Sequence, residues 1–268
     1  MVHWVVAWYL AVQLDMKMTG IAIASSLQFV LRFVIAYICV HLDKDLKRSL
    51  IPLSHPSSKS DLMETLALGG NSILLKVMGW WAFDVFTQLA SFLTETDLAG
   101  QTILRNIGLF TFMIPVGLSS AINFFTGKYI GRNKIVLARR ISNLCMTVTF
   151  IWSFAAMAIV WFGQQSVLDF YTNDVSVQDS NKKAWFVLTI FVFFDCMQGV
   201  SAGNISGLGL LSRVKYVTMF NYWVIGIPIS CLMMFKYDLA LEGLWYGPTI
   251  ACLLNYMMYE FVIHSSDW

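Results

Sequence analysis

The sequence predicts an all-α integral membrane protein, a helical bundle with about eight transmembrane helices. Of the 268 residues, 57% are hydrophobic and 13% charged, with a mean hydropathy of +0.65. A soluble domain carries roughly 25% charged residues, so this chain has about half the charge needed to cover a water-facing surface. The apolar residues also gather into runs long enough to cross a bilayer core, and the loops between the runs alternate in charge. A cytosolic enzyme, a nucleic-acid binder and a disordered regulator are all excluded by this composition. The net charge of +2 carries no information about partners; only the placement of the charges does.

A span needs about 20 mostly apolar residues. Seven such runs occur, at 20–42, 64–93, 101–126, 142–163, 184–210, 216–236 and 243–264, and an eighth, 1–14, is apolar but short. None shows the sustained two-residue alternation of a barrel strand. The first loop carries Lys44, Lys47, Arg48 and Lys59, the loop 127–141 carries Lys128, Arg132, Lys134, Arg139 and Arg140, and 211–215 carries Arg213 and Lys215. The intervening loops are acidic or mixed, with Glu95 and Asp97, then Asp169, Asp174, Asp179, Lys182 and Lys183, then Lys236, Asp238 and Glu242. By the positive-inside rule the basic set is cytoplasmic, and both chain ends lie in the cytoplasm if 1–14 spans. The loop 43–61, with Pro52, Pro56 and Ser57-Ser58-Lys59-Ser60, reads as a cytoplasmic linker between two bundles.

Other signals read as structural. Five cysteines sit singly in apolar runs and four histidines are scattered, so neither a disulfide framework nor a metal site is expected. No cation precedes Lys17, which argues against a cleaved signal peptide. The sequon Asn204-Ile-Ser206 falls inside an apolar run, a poor place for a glycan. Gly127-Lys128-Tyr129-Ile130-Gly131-Arg132 lacks the strand and G-K-[ST] ending of a phosphate loop and reads as a cytoplasmic anchor, while Gly207-Leu-Gly-Leu-Leu-Ser212 reads as a helix end.

An internal echo is more informative. Asp15-Met-Lys-Met-Thr-Gly20-Ile21 and Asp238-Leu-Ala-Leu-Glu-Gly243-Leu244 share the pattern D-x4-G-[IL], each following an apolar run and opening the next, with an offset of 223 from 20 to 243. Repeated sets of membrane helices are the usual architecture of secondary transporters. The echo divides the chain into 1–42, the last two helices of a first lobe, the linker 43–61, and 62–268, a six-helix second lobe.

Two carboxylates lie well inside predicted spans, Asp84 and Asp195. An ionised Asp at a helix centre costs about 2.5–3.5 kcal/mol on insertion scales, so such residues face a cavity or a partner and mark ion pathways. Asp84 and Asp195 are therefore candidate proton-exchanging groups. Gln88 follows Asp84 by one turn and Gln198 follows Asp195 by three residues, which puts each beside its acid. Lys76, two turns before Asp84, either pairs with it or snorkels to the cytoplasmic end, and snorkelling is the expectation for Lys76 and Arg32. Gly199-x3-Gly203-x3-Gly207 allows close helix contact. Pro115 with Gly117, Gly226 with Pro228, and Gly247 with Pro248 put breakers inside three spans. Of the many aromatics, those inside the bundle could stack on an organic cation, a contact worth about 2 kcal/mol when desolvated.

These residues resemble the multidrug and toxic compound extrusion (MATE) transporters of the eukaryotic type. The resemblance rests on Gly79-Trp-Trp-Ala-Phe-Asp84, Leu98-Ala-Gly-Gln-Thr-Ile-Leu104, Phe112-Met-Ile-Pro-Val-Gly-Leu-Ser-Ser-Ala121 with Gly127 and Gly131, Tyr171-Thr-Asn-Asp174, Asp195-Cys-Met-Gln-Gly199, Tyr222-Trp-Val-Ile-Gly-Ile-Pro228 and Gly243-Leu-Trp-Tyr-Gly247, in family order over essentially the whole chain. It implies a MATE-like bundle holding helices 5 and 6 of the first lobe and all of the second. It also implies export of organic cations or xenobiotics in exchange for H+ or Na+, with no cofactor, across the plasma membrane or a vacuolar or other endomembrane; H+ is the favoured coupling ion because the embedded acids are few and lie in apolar surroundings. The family's second-lobe acids fall on Asp84 and Asp195, and Trp81, Gln88, Gln101, Asn106, Gln198 and Tyr222 are the candidate substrate-binding positions. Two departures matter: Gly79 and Asn106 stand where some members carry acids. The implied partners are the lipid bilayer, small organic cations and, for the missing first-lobe helices, another chain. The alternatives are a transport-inactive fragment that only folds or associates with another half, and a related lipid-linked oligosaccharide flippase, whose more cationic cleft Asp84 and Asp195 disfavour.

Overall fold

A computed structural model describes residues 2–48 and 62–266. Helix dominates, and no strand occurs among the described residues. Most of the expected linker lies outside the described residues. The chain divides into two units, Met1–Leu66 and Ala67–Trp268.

In the first unit α1 (Val2–Trp8) runs into a π-helical turn at Tyr9–Gln13, the chain reverses, and α2 (Lys17–Leu42) follows, with a short α3 (Lys44–Arg48) after it. The reversal places Asp15 and Lys17 at φ of 48° and 47°. Gly20 lets α2 close onto the preceding helix, since a Cβ there would lie 2.8 Å from the Leu10 carbonyl carbon and 2.9 Å from the Ala11 nitrogen. The second unit builds the same hairpin 223 residues later. A π-helical turn at Leu232–Lys236 precedes α11 (Ala240–Ser265), Asp238 and Ala240 take φ of 56° and 43°, and Gly243 meets the Met233 carbonyl carbon and Met234 nitrogen at 2.7 and 2.8 Å. The closing bonds correspond as well: Met16 N donates to Leu10 O at 3.2 Å and Leu239 N to Met233 O at 3.1 Å. The D-x4-G echo is therefore one device used twice. An Asp tolerates the left-handed corner, and glycine admits the opposing backbone.

The second unit continues from α4 (Leu62–Ala90) through α5 (Glu95–Gly131), α6 (Ile135–Phe162), α7 (Gln164–Tyr171), α8 (Val175–Gly207), α9 (Leu211–Phe220) and α10 (Ile227–Cys231) to α11. A π-helical stretch, Asn221–Gly226, joins α9 to α10 without a break, giving one long span. Helices outrun the apolar runs at both ends. α5 starts at Glu95 because Thr94 caps it, accepting from Asp97 N at 3.1 Å while its hydroxyl donates to the Asp97 carboxylate at 2.7 Å. Asp174 caps α8 by accepting from Ser176 N at 2.8 Å. Arg139 and Arg140 ride on the start of α6, and Arg213 and Lys215 on α9, not in loops as expected. The eight-residue α7 stands where an acidic or mixed loop was expected.

Among the described residues five helices are long and apolar enough to cross a membrane: α2, α5, α6, α8 and the α9–α10 span. α11 has the length, at 26 residues, but its aromatic, Asn255 and Glu260 content dilutes its hydropathy. The expected count of eight thus does not follow from length and apolarity alone. α8 is the central helix, with 61% of its most apolar window buried against 22% for α5 and α6. Its glycines face α5. A Cβ on Gly199 would strike the Phe112 ring, one on Gly203 the Ser119 carbonyl and hydroxyl, and one on Gly207 the Asn123 carbonyl at 2.7 Å. The Ser119 hydroxyl then donates to Gly199 O at 2.9 Å.

Proline removes a backbone donor and orphans the carbonyl four residues back. Inside a bilayer that carbonyl needs another partner. For Pro115 the orphan is Thr111 O, and Trp152 Nε1 of α6 donates to it at 3.2 Å. For Pro248 it is Leu244 O, and the Ser230 hydroxyl of α10 donates to it at 2.6 Å. Both breakers are thus stitched to a neighbouring helix. Gly203→Ala should lower the stability of the purified protein by about 1–3 kcal/mol, whereas Gly117→Ala, with nothing within 4 Å of its Cβ, should be neutral or slightly stabilising. Thermal unfolding in one detergent compares the two directly.

Candidate substrate cleft

The second unit encloses a cleft of about 510 Å³ lined from α4, α5, α8, the α9–α10 span and α11. One wall is aromatic. Phe83 meets Phe191 and Tyr222 edge-on at 5.8 and 6.0 Å between ring centroids, and Phe191 meets Trp245 at 5.0 Å. A polar cluster interrupts this wall at Asp195, which is 9% exposed and lines the cleft. Gln198, one turn on, donates through Nε2 to Asp195 Oδ1 at 3.2 Å and to the Tyr222 hydroxyl at 3.1 Å. The Cys252 thiol lies 3.4 Å from that hydroxyl and donates to Asp195 Oδ1 at 3.8 Å. Every described bond to this carboxyl reaches Oδ1, so Oδ2 has no partner among the described residues. The glycine contacts of α8 with α5 hold this cluster in place.

Asp84 is placed differently. Its side chain is 57% exposed, it does not line the cleft, and its Oδ1 accepts from Arg105 Nη2 at 2.6 Å. Arg105 Nη1 donates to Thr87 Oγ1 at 3.0 Å. Asp84 and Asp195 are therefore not equivalent: Asp195 lines the cleft and makes no ion pair among the described residues, whereas Asp84 is paired with Arg105. The side chain of Lys76, considered as a partner for Asp84, lies outside the described residues.

Of the other sequence candidates, Gln198 and Tyr222 line the cleft with Asp195. Trp81 is 55% exposed and turned away, and its neighbour Trp80 lines the cleft instead, because adjacent helix positions point about 100° apart. Gln88 is exposed and Asn106 half-buried, and neither lines it. Gln101 is buried at 3% exposure, donates to Thr87 Oγ1 at 3.5 Å, and its Oε1 has no partner among the described residues. Sequence reasoning missed Arg105, an embedded cation whose opposite charge to Asp84 was the available signal. It also missed Cys252, read as packing. A third omission was Glu260, which accepts from the buried Ser201 hydroxyl at 2.6 Å. No group of three or more potential metal ligands occurs among the described residues.

The chain is similar to known transporters along nearly its full length. It is 24% identical over 208 residues to human multidrug and toxin extrusion protein 1, an alignment covering 78% of this chain and 36% of that protein. It is 26% identical over 214 residues to Protein DETOXIFICATION 39 of Arabidopsis thaliana, covering 79% of this chain and 42% of that one. In three dimensions it is similar to the eukaryotic MATE transporter AtDTX14, with a TM-score of 0.92 and 21% identity over 99% of this chain and 60% of that one. The chain thus spans less than half the length of these two sequence relatives. A family model described as MatE matches residues 72–232, more than half of the chain and the segment that holds Asp84, Arg105, Asp195 and Tyr222. On that match the chain belongs to the MatE family of multi-pass membrane transporters.

Proposed function

We propose that the chain forms part of a secondary antiporter that exports organic cations in exchange for H+. The observation that carries this is a cleft with an aromatic wall and a carboxyl, Asp195, whose second oxygen has no partner among the described residues. An aromatic cation fits both features, since its charge meets the carboxylate and its rings meet the wall. Protonation of Asp195 removes the attraction, so proton and substrate compete for one group. Linkage then makes the effect reciprocal: a proton taken up on one side favours cation release there, and a cation taken up on the other displaces the proton. Na+ is the less favoured coupling ion because one carboxyl, one amide and a thiol make a poor hard-cation site.

Asp84 has a supporting part in this reading. Its charge is neutralised by Arg105, so coupling falls on Asp195. The reading keeps the basic loops and both described ends on the cytoplasmic side. It treats 1–42 as the close of a first lobe and 62–268 as a second, the remaining first-lobe helices being supplied by further chain or a partner. The MATE names of the relatives support export, and the Asp195 carboxyl beside an aromatic wall supports a substrate that carries a cationic group.

Two outcomes test it. In proteoliposomes that hold the full-length transporter under an imposed pH gradient, the wild type should move an aromatic cation such as ethidium and Asp195→Asn should not; pH-driven flux that survives Asp195→Asn, or no flux with the full-length wild type, would sink the proposal. Tyr222→Leu should weaken binding of the same cation by about 2 kcal/mol, roughly thirtyfold in Kd, measured by equilibrium dialysis of the reconstituted protein.

A further inference from the structure

Arg105 holds Asp84 but lines the cleft that Asp84 does not. Its side chain keeps 27% exposure, and among the described residues it spends two of five N–H donors, one on Asp84 and one on Thr87. A cation placed only to neutralise Asp84 would have no need to reach the cavity wall. Embedded charges are costly and ordinarily mark a substrate or ion path, and guanidinium is the group best shaped to take a carboxylate, sulfonate or phosphate.

Its distance from Asp195 follows from the helix register. α5 and α8 run parallel, with Gly108 against Phe191 and Thr111 O 3.9 Å from the Cys196 thiol, so Asp195 lies level with Thr111. Arg105 precedes Thr111 by six residues, which at 1.5 Å per residue sets the backbone positions of Arg105 and Asp195 about 9 Å apart along the helix axis. Phe83, Phe191 and Tyr222 line the same cavity. We propose that Arg105 is a specificity-determining residue that gives the cleft an anion-accepting pole. The preferred ligand is then an aromatic zwitterion, its cationic group at Asp195 and its anionic group at Arg105. The proposal rests on the cation-binding reading of Asp195 and narrows its substrate class.

The test uses the full chain in lipid nanodiscs and two probes with the same ring, naphthyltrimethylammonium and its zwitterionic naphthyl-ammoniopropanesulfonate counterpart, with Kd measured by equilibrium dialysis. The wild type should prefer the zwitterion by about tenfold. Arg105→Gln should bring the two probes within about twofold of each other, and Arg105→Lys should keep part of the preference. Because Arg105→Gln leaves Asp84 unpaired and could impair folding, the double variant Asp84→Asn with Arg105→Gln is measured alongside and should behave the same. A wild type with no preference for the zwitterion, or a preference that survives in both Gln variants, overturns the proposal. Cation binding that is insensitive to Asp195→Asn instead overturns the coupling reading while leaving the Arg105 result to stand separately; if neither probe binds the wild type, both fall.

Discussion

Close approach of α5 and α8 sets where Asp195 and Arg105 stand along the cleft. Three glycines one turn apart on α8 let the backbone of α5 come within contact of Gly203 and Gly207, and Ser119 locks the pair by donating to Gly199 O. In lipid there is no hydrophobic force between helices, so shape and hydrogen bonds must do this. Their register places Asp195 beside Thr111 and Arg105 nearly two turns away. The same contact line carries the backbone repair of Pro115, since Thr111 O receives Trp152 from α6. A bulky residue in the glycine row would displace the carboxyl and its partners together.

The electrostatics of the unit follow from that placement. Asp84, Asp195 and Arg105 sit in the same bundle, and the guanidinium takes Asp84. The pair is partly exposed, 27% for the Arg105 side chain and 57% for that of Asp84, so it is weaker than a fully buried one. Among the described residues Asp195 is held by neutral donors, an amide and a thiol. In the proposed cycle this difference separates a structural acid from a coupling acid, although both look alike along the chain.

Much of the fold was legible because hydropathy reports the bilayer-embedded part of a helix directly. The run 101–126 became Glu95–Gly131, and the discrepancy is instructive: the extra turns are polar, held by Thr94 and Asp97 outside the apolar core. The D-x4-G echo was legible because a left-handed corner and a glycine contact demand particular residues. Asp195 with Gln198 was legible from helical spacing, and Tyr222 from family resemblance. Arg105 was not, because its partner is 21 residues away through a loop and nothing in a linear pattern pairs them. Trp80 could not be told from Trp81 without the rotation of α4. The donors that repair Thr111 O and Leu244 O come from other helices, and only packing reveals them.

The central claim is that Asp195, not Asp84, is the group that exchanges a proton. Infrared difference spectra of the reconstituted chain between alkaline and acidic buffer read this directly through the C=O stretch of a protonated carboxyl. The account predicts a band that appears on acidification, disappears in Asp195→Asn and remains in Asp84→Asn. A band that persists in Asp195→Asn, or is lost in Asp84→Asn, would contradict it.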